Sequence, residues 1–201
     1  MRFTNIISSV IAVLTMLIPV VSNAVILEIS GGQLMGAKNV EVNGTKYDVS
    51  FVDGTCIAIF DGCDEVSDFT FHTQADATAA SEVLMNTVFV DGPLGDFDTR
   101  PDLTNGITVS WTGWIWTAYG FSGANYWSGM GVENWDANAW SPSDSVVQRN
   151  DAKSRDFSND DWHVWAVWSN ASGGVPVSEP SILFLLLSGL VGFTVLQKRS
   201  S

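Results

Sequence analysis

The chain has 201 residues, with nine basic against 22 acidic side chains and a net charge of −13 at neutral pH. Between its two apolar ends, Val25 to Gly174 carries six basic and 21 acidic residues, a net charge of −15. With no basic patch to neutralise phosphates, nucleic acid is excluded as a partner. The acids are scattered rather than in a block, and 150 residues suit one ordinary domain with a real core.

In chain order, Arg2 is the only charge before Glu28, and Ile6 to Val21 is strongly apolar. Ser22-Asn23-Ala24 then places small residues where a signal peptidase reads. These are the parts of a secretory signal peptide over residues 1–24, with cleavage expected after Ala24.

Residues 39–51 predict a hairpin. Asn43-Gly44 is a strong two-residue turn signal because both turn positions need positive φ. It pairs Val42 with Thr45, Glu41 with Lys46 and Val40 with Tyr47, and so puts Val40, Val42, Tyr47, Val49 and Phe51 on one face. Ile57 to Phe60 predicts a short strand, and Phe69 to Phe71 another. Cys56 and Cys63, in an exported chain, predict a disulfide. A metal site at these cysteines would need further ligands nearby, and no second cysteine pair exists.

The one clear helix is predicted near 73–90. Thr73 can cap it, Asp76 completes a capping-box-like pattern, and Ala80, Val83, Leu84, Thr87 and Val88 fall on one face. Asp91-Gly92-Pro93 stops it. The loop with Asp96, Asp98, Arg100 and Asp102 departs from a calcium loop at Arg100, and it lacks the required Gly and distal Glu.

All nine tryptophans lie between Trp111 and Trp168. Ile107, Val109 and Trp111 alternate with polar residues as a strand does. Gly113 interrupts before Trp114 to Tyr119. Trp162 to Trp168 predicts a final strand, with Trp162, Val164, Ala166 and Trp168 on one face. Trp111 and the tryptophans of this last strand are therefore expected in the core. Gly120 to Asn159 is rich in Gly, Ser, Asn and Asp and predicts turns and short strands. There Trp127, Trp135 and Trp140, beside Tyr126, Asn134, Asp136 and Asn138, are the candidates for an exposed carbohydrate-binding surface. Indole faces stack on sugars, and carboxylates and amides accept hydroxyl hydrogen bonds.

Signals for an enzyme are poor. Gly120 to Ala124 lacks the final Gly of a nucleophile elbow. Only His72 and His163 offer a base, and no carboxylate pair stands out as a glycosidase acid and base. A hydrolase is thus the weakest reading, and no cofactor or metal is expected.

The tail has three parts: Ser178-Glu179-Pro180, a charge-free run over 181–196, and a basic end at 197–201 containing Lys198 and Arg199. As a helix the run would span about 24 Å against a hydrocarbon core of about 30 Å. Lys198 and Arg199 keep that end cytoplasmic, which leaves the body outside. Residues 175–201 resemble the PEP-CTERM sorting domain of Gram-negative bacteria, with Ser178 standing where that family usually has its first proline. The resemblance implies an integral-membrane processing enzyme, an exosortase, as a partner. It also implies a membrane-anchored intermediate, then release or transfer to the cell surface or the extracellular space.

Leu34 to Ala37, Tyr47 to Cys56, Phe60 to Asp64 and Ala166 to Ser169 are similar to ectodomains found before such tails. No activity comes with that likeness. The expected architecture is a mainly β ectodomain, sandwich-like or α+β, over 25–174, followed by a C-terminal transmembrane helix. The expected role is that of an exported, non-catalytic surface or matrix protein, with carbohydrate binding to exopolysaccharide as the alternative.

Overall fold

The structure is a computed structural model that describes residues 24–136 and 143–171. The signal-peptide, Trp140 and sorting-tail expectations (Ser178, Glu179, Pro180, Lys198 and Arg199 included) lie outside those residues, apart from Ala24 at the expected cleavage point. The described part is mainly β, built on one seven-stranded mixed sheet with few helices.

Its strands are β1 (Ile26–Ser30), β2 (Gln33–Val42), β3 (Thr45–Val52), β6 (Thr112–Phe121), β7 (Tyr126–Trp135), β8 (Ser145–Ala152) and β9 (His163–Asn170). A small separate ribbon joins β4 (Asp91–Gly92) to β5 (Gly95–Asp96). The sheet order is β1-β2-β3-β9-β6-β7-β8. Every neighbouring pair is antiparallel except β6 and β9, which run parallel. The last strand therefore inserts between the N-terminal meander and the C-terminal one and joins them.

The β2–β3 hairpin has the register its turn dictates: Val42 opposite Thr45, Glu41 opposite Lys46, Val40 opposite Tyr47. Asn43 and Gly44 both have positive φ, 50° and 79°. An irregularity between Ala37 and Val40 absorbs Asn39, itself at φ 58°, whose backbone N–H donates to Asp48 Oδ1.

Two short segments differ from expectation. Residues 57–60 are not a strand: Cys56–Ile59 is a single helical turn, α1, capped by Thr55, whose side chain accepts from the Ala58 N–H. Burial there follows the helical period, since Cys56 and Phe60, four apart, are buried while Ile57 and Ala58 between them face solvent. Cys56 and Cys63 close the loop, with their sulfurs 1.99 Å apart. Residues 69–71 form no strand either.

The predicted helix is α2, Gln74–Thr87. Thr73 caps it by accepting from the Asp76 N–H and donating to the Asp76 carboxylate at 2.7 Å. Ala77, Ala80 and Leu84 are its buried apolar side chains.

The sheet has two covered faces. On the first, α2 and the residues after it, Val88, Phe89 and Phe97, share one core with Leu34, Val40, Val49, Phe51, Ile115, Val132, Val164 and Ala166. On the second, the α1 loop and a short turn at Phe157–Asn159 cover Trp116, Trp127 and Trp165. One sheet with a helix on one face is the α+β form of the expectation, not two stacked sheets.

Candidate functional site

The second face owes its shape to glycine. Cross-strand pairing puts Trp116 opposite Gly131 and Ala118 opposite Gly129. A Cβ at Gly131 would sit 2.3 Å from Trp116 Cε3, and one at Gly129 2.7 Å from Trp127 Cζ3. Bare backbone on β7 thus lets the indoles of Trp116 and Trp127 lie flat on the sheet. Trp165 meets Trp127 edge-on at 4.7 Å and stacks on Phe157 at 4.7 Å. Trp127 is completely buried. The expectation that it forms an exposed sugar platform is therefore corrected: it sits in a strand, not a loop, on an inward-facing position.

Over these rings lies a closed circuit of charge. The Arg149 guanidinium sits 5.6 Å from the ring centres of both Trp114 and Trp116. It donates to His163 Nε2 at 3.0 Å and to Asp151 Oδ2 at 2.7 Å. Arg155 donates to Asp151 at 2.6 Å and also to Asp160. Asp160 Oδ1 is 2.8 Å from His163 Nδ1, which completes the ring.

Guanidinium has only donors. His163 Nε2 must therefore be the bare nitrogen, and Nδ1 carries the proton donated to Asp160. Burial holds the His163 pKa below the usual histidine range, and the Arg149 and Arg155 charges add to this against the pull of Asp160. Burial works against the Asp160 carboxylate, yet the His163 and Arg155 hydrogen bonds outweigh it and hold that pKa down. Asp160 and His163 have the spacing of a catalytic pair, but the nitrogen that would take a proton is occupied by Arg149. The circuit is a clamp tying β8, β9 and the 155–160 segment together.

The exposed indoles are elsewhere. Trp111 is 36 % exposed and Trp162 is 41 % exposed, while both were expected in the core. The physical reason lies at the strand starts. The alternation of 107–111 is not a strand; β6 begins at Thr112, and β9 begins at His163. Each of these tryptophans is the residue just before its strand. Because β6 and β9 are parallel, their starts lie side by side, linked by the Trp114 N–H to the Trp162 carbonyl at 2.7 Å. Antiparallel β7 ends at the same edge with Trp135, held beside Trp111 by the Asp136 N–H donating to the Trp111 carbonyl.

The three rings touch: Trp111 meets Trp162 at 5.1 Å and 67°, and Trp135 at 5.8 Å and 44°. Trp135 is half-buried. Of the three expected binding tryptophans, then, one is in the core, one is at this edge, and Trp140 lies outside the described residues.

Acidic groups flank the cluster. Exposed Asp161 precedes Trp162 and accepts from Thr108 Oγ1 at 2.6 Å. Asp144 Oδ1 accepts the Trp135 N–H at 2.8 Å. Burial, together with the facing carboxyl of Asp98, pushes the Asp144 pKa up to about 6, although the Trp135 hydrogen bond opposes the shift. Among the described residues, no three His, Cys, Asp or Glu side chains group as metal ligands. Comparison with protein-family models, curated proteins and solved structures finds no match to this chain.

Proposed function

We propose that this protein is an exported, non-catalytic cell-surface or matrix protein. Its C-terminal signal holds it in the inner membrane until an exosortase-type enzyme processes it near Ser178-Glu179-Pro180. The observation that carries this reading is the order of the tail: a polar recognition element, a charge-free run, then Lys198 and Arg199 at the cytoplasmic side. The Cys56–Cys63 bond supports it, because disulfides persist in oxidising compartments.

Cell fractionation tests the reading. Full-length Glu179→Ala protein should accumulate in the inner membrane, while the native chain, cut near Pro180, leaves it. Recovery of native protein in the cytoplasm with reduced cysteines would sink the proposal. A second reading, polysaccharide binding, is favoured by one observation: tryptophans left exposed in contact at the β6–β9 edge.

A further inference from the structure

We propose that Trp111 and Trp162, braced by Trp135, form a stacking surface for a neutral polysaccharide, with Asp161 accepting hydroxyl hydrogen bonds beside it. The proposal deepens the polysaccharide reading above and rests on it.

Three features of the patch select this ligand class. The first is exposure. Burying large aromatic rings is strongly favourable, and the other five described tryptophans outside this cluster are at least half covered. Trp111 and Trp162 stay open although they contact each other, so the exposed patch is continuous. The second is shape. With ring centres 5.1 Å apart edge-to-face and 5.8 Å apart tilted, no space remains between the indoles for a caged cation. A ligand has to lie over the rings, as the C–H face of a pyranose does. The third is charge. Asp161 uses one oxygen for Thr108 Oγ1, and a carboxylate has about four acceptor sites. It accepts from sugar hydroxyls and repels uronate or sulfate groups. The body's net charge of −15 acts in the same direction.

The topology gives the surface rigidity. The backbone of each tryptophan is held at a strand end, Trp162 O by Trp114 N and Trp111 O by Asp136 N, and the indoles brace one another through their ring contacts. Little rotamer freedom is then lost on binding, and a site on fixed elements keeps its spacing.

Affinity electrophoresis of the full-length protein in mild detergent tests this, with hydroxyethylcellulose and dextran as neutral probes and alginate as the anionic one. Retardation is expected on at least one neutral glucan and not on alginate. Trp111→Ala and Trp162→Ala should each weaken retardation about three- to tenfold, and the double variant should abolish it, with near-UV circular dichroism of the buried tryptophans retained. Asp161→Asn should weaken it less, and retardation on alginate should then increase. Retardation of the native protein that survives in the double variant would refute this site while leaving polysaccharide binding standing. No retardation on either neutral glucan would overturn both. Concentration-dependent dimerisation lost in the double variant, without retardation, would identify the patch as a protein-protein face and overturn the proposal too.

Discussion

The two faces of the sheet are built from different materials. The face toward α2 is built largely on aliphatic strand residues, Leu34, Val40, Val49, Ile115, Val132 and Val164, with Phe51 and Trp168 among them, and these repeat at strand period. The other face is aromatic and charged, with Trp116, Trp127, Trp165 and Phe157 beneath the Arg149–His163–Asp160–Arg155–Asp151 circuit. The first face is held by area, which tolerates repacking. The second is held by fit: glycine beneath indole, imidazole between Trp116 and Phe157, guanidinium over rings. The general lesson is that a sheet can keep a forgiving face and an exacting one, and substitutions should separate them.

The largest separation is expected among the tryptophans. Trp165→Ala empties a fully buried site between Trp127 and Phe157 and removes the 2.9 Å hydrogen bond from its Nε1 to the Gly54 carbonyl, which keeps only the Phe157 N–H. It should cost about 3–5 kcal/mol. Trp162→Ala, at the open edge, should cost less than about 1 kcal/mol. Urea denaturation of both variants checks the contrast, and equal losses would erase the distinction between core and surface indoles.

Cutting the covalent staple on the exacting face comes next. Replacing Cys56 and Cys63 together with Ser frees an eight-residue loop, worth about 2.5 kcal/mol in the chain-entropy account. Both positions are fully buried beside Phe60 and Phe69, so the loss should show as a lowered midpoint in thermal melts of the double variant. An unchanged midpoint would mean that aromatic packing alone holds α1 down.

Overpacking should follow at a similar or smaller size. Gly131→Ala forces the Trp116 ring off the sheet and should cost about 1–3 kcal/mol. Ala80→Val on the helix face tests the forgiving side by the same measurement. A smaller loss there is expected, because α2 can shift as a unit.

Much of the forgiving face was legible in the sequence. Asn43-Gly44 predicted the β2–β3 register, Thr73 and Asp76 the start of α2, and the alternation of Val164, Ala166 and Trp168 one face of β9. Period and turn chemistry are local, so they can be read locally. The exacting face was not legible, since its partners are far apart: Trp116 with Gly131, Arg149 with His163, Trp165 with Gly54. The candidate site failed to show for a related reason. Whether Trp111 and Trp162 are the last residues outside a strand or the first within it decides their exposure, and strand ends are where periodicity is weakest. Tyr126-Trp127 read as loop because of the polar residues around it, yet β7 runs from Tyr126 to Trp135 with its glycines serving as seats for rings.

The smallest effects concern pH, and here the charge circuit on the exacting face and Asp144 at the strand ends oppose each other. His163 has a folded pKa below its ordinary 6.5, so the unfolded chain takes up the proton first. Its contribution is complete above about pH 6.5 and is lost as pH falls through the folded value. Asp144 is the reverse. Its folded pKa of about 6 lies above the ordinary 3.8, so the folded state holds the extra proton, and the contribution is complete below about pH 4 and lost as pH rises through 6. Asp144→Asn mimics the protonated acid: its oxygen still accepts from Trp135, and its amide can donate to Asp98. Stability of this variant should therefore match the native protein near pH 4 and exceed it modestly at pH 7–8. His163→Asn should flatten the native decline below pH 6.5 while lowering stability at pH 7. Urea midpoints measured from pH 4 to 8 give both profiles. A variant of Asp144 no more stable than native protein at pH 8 would show that the Asp144 carboxylate is accommodated without strain, and that only the Arg149–His163 circuit is tuned by burial.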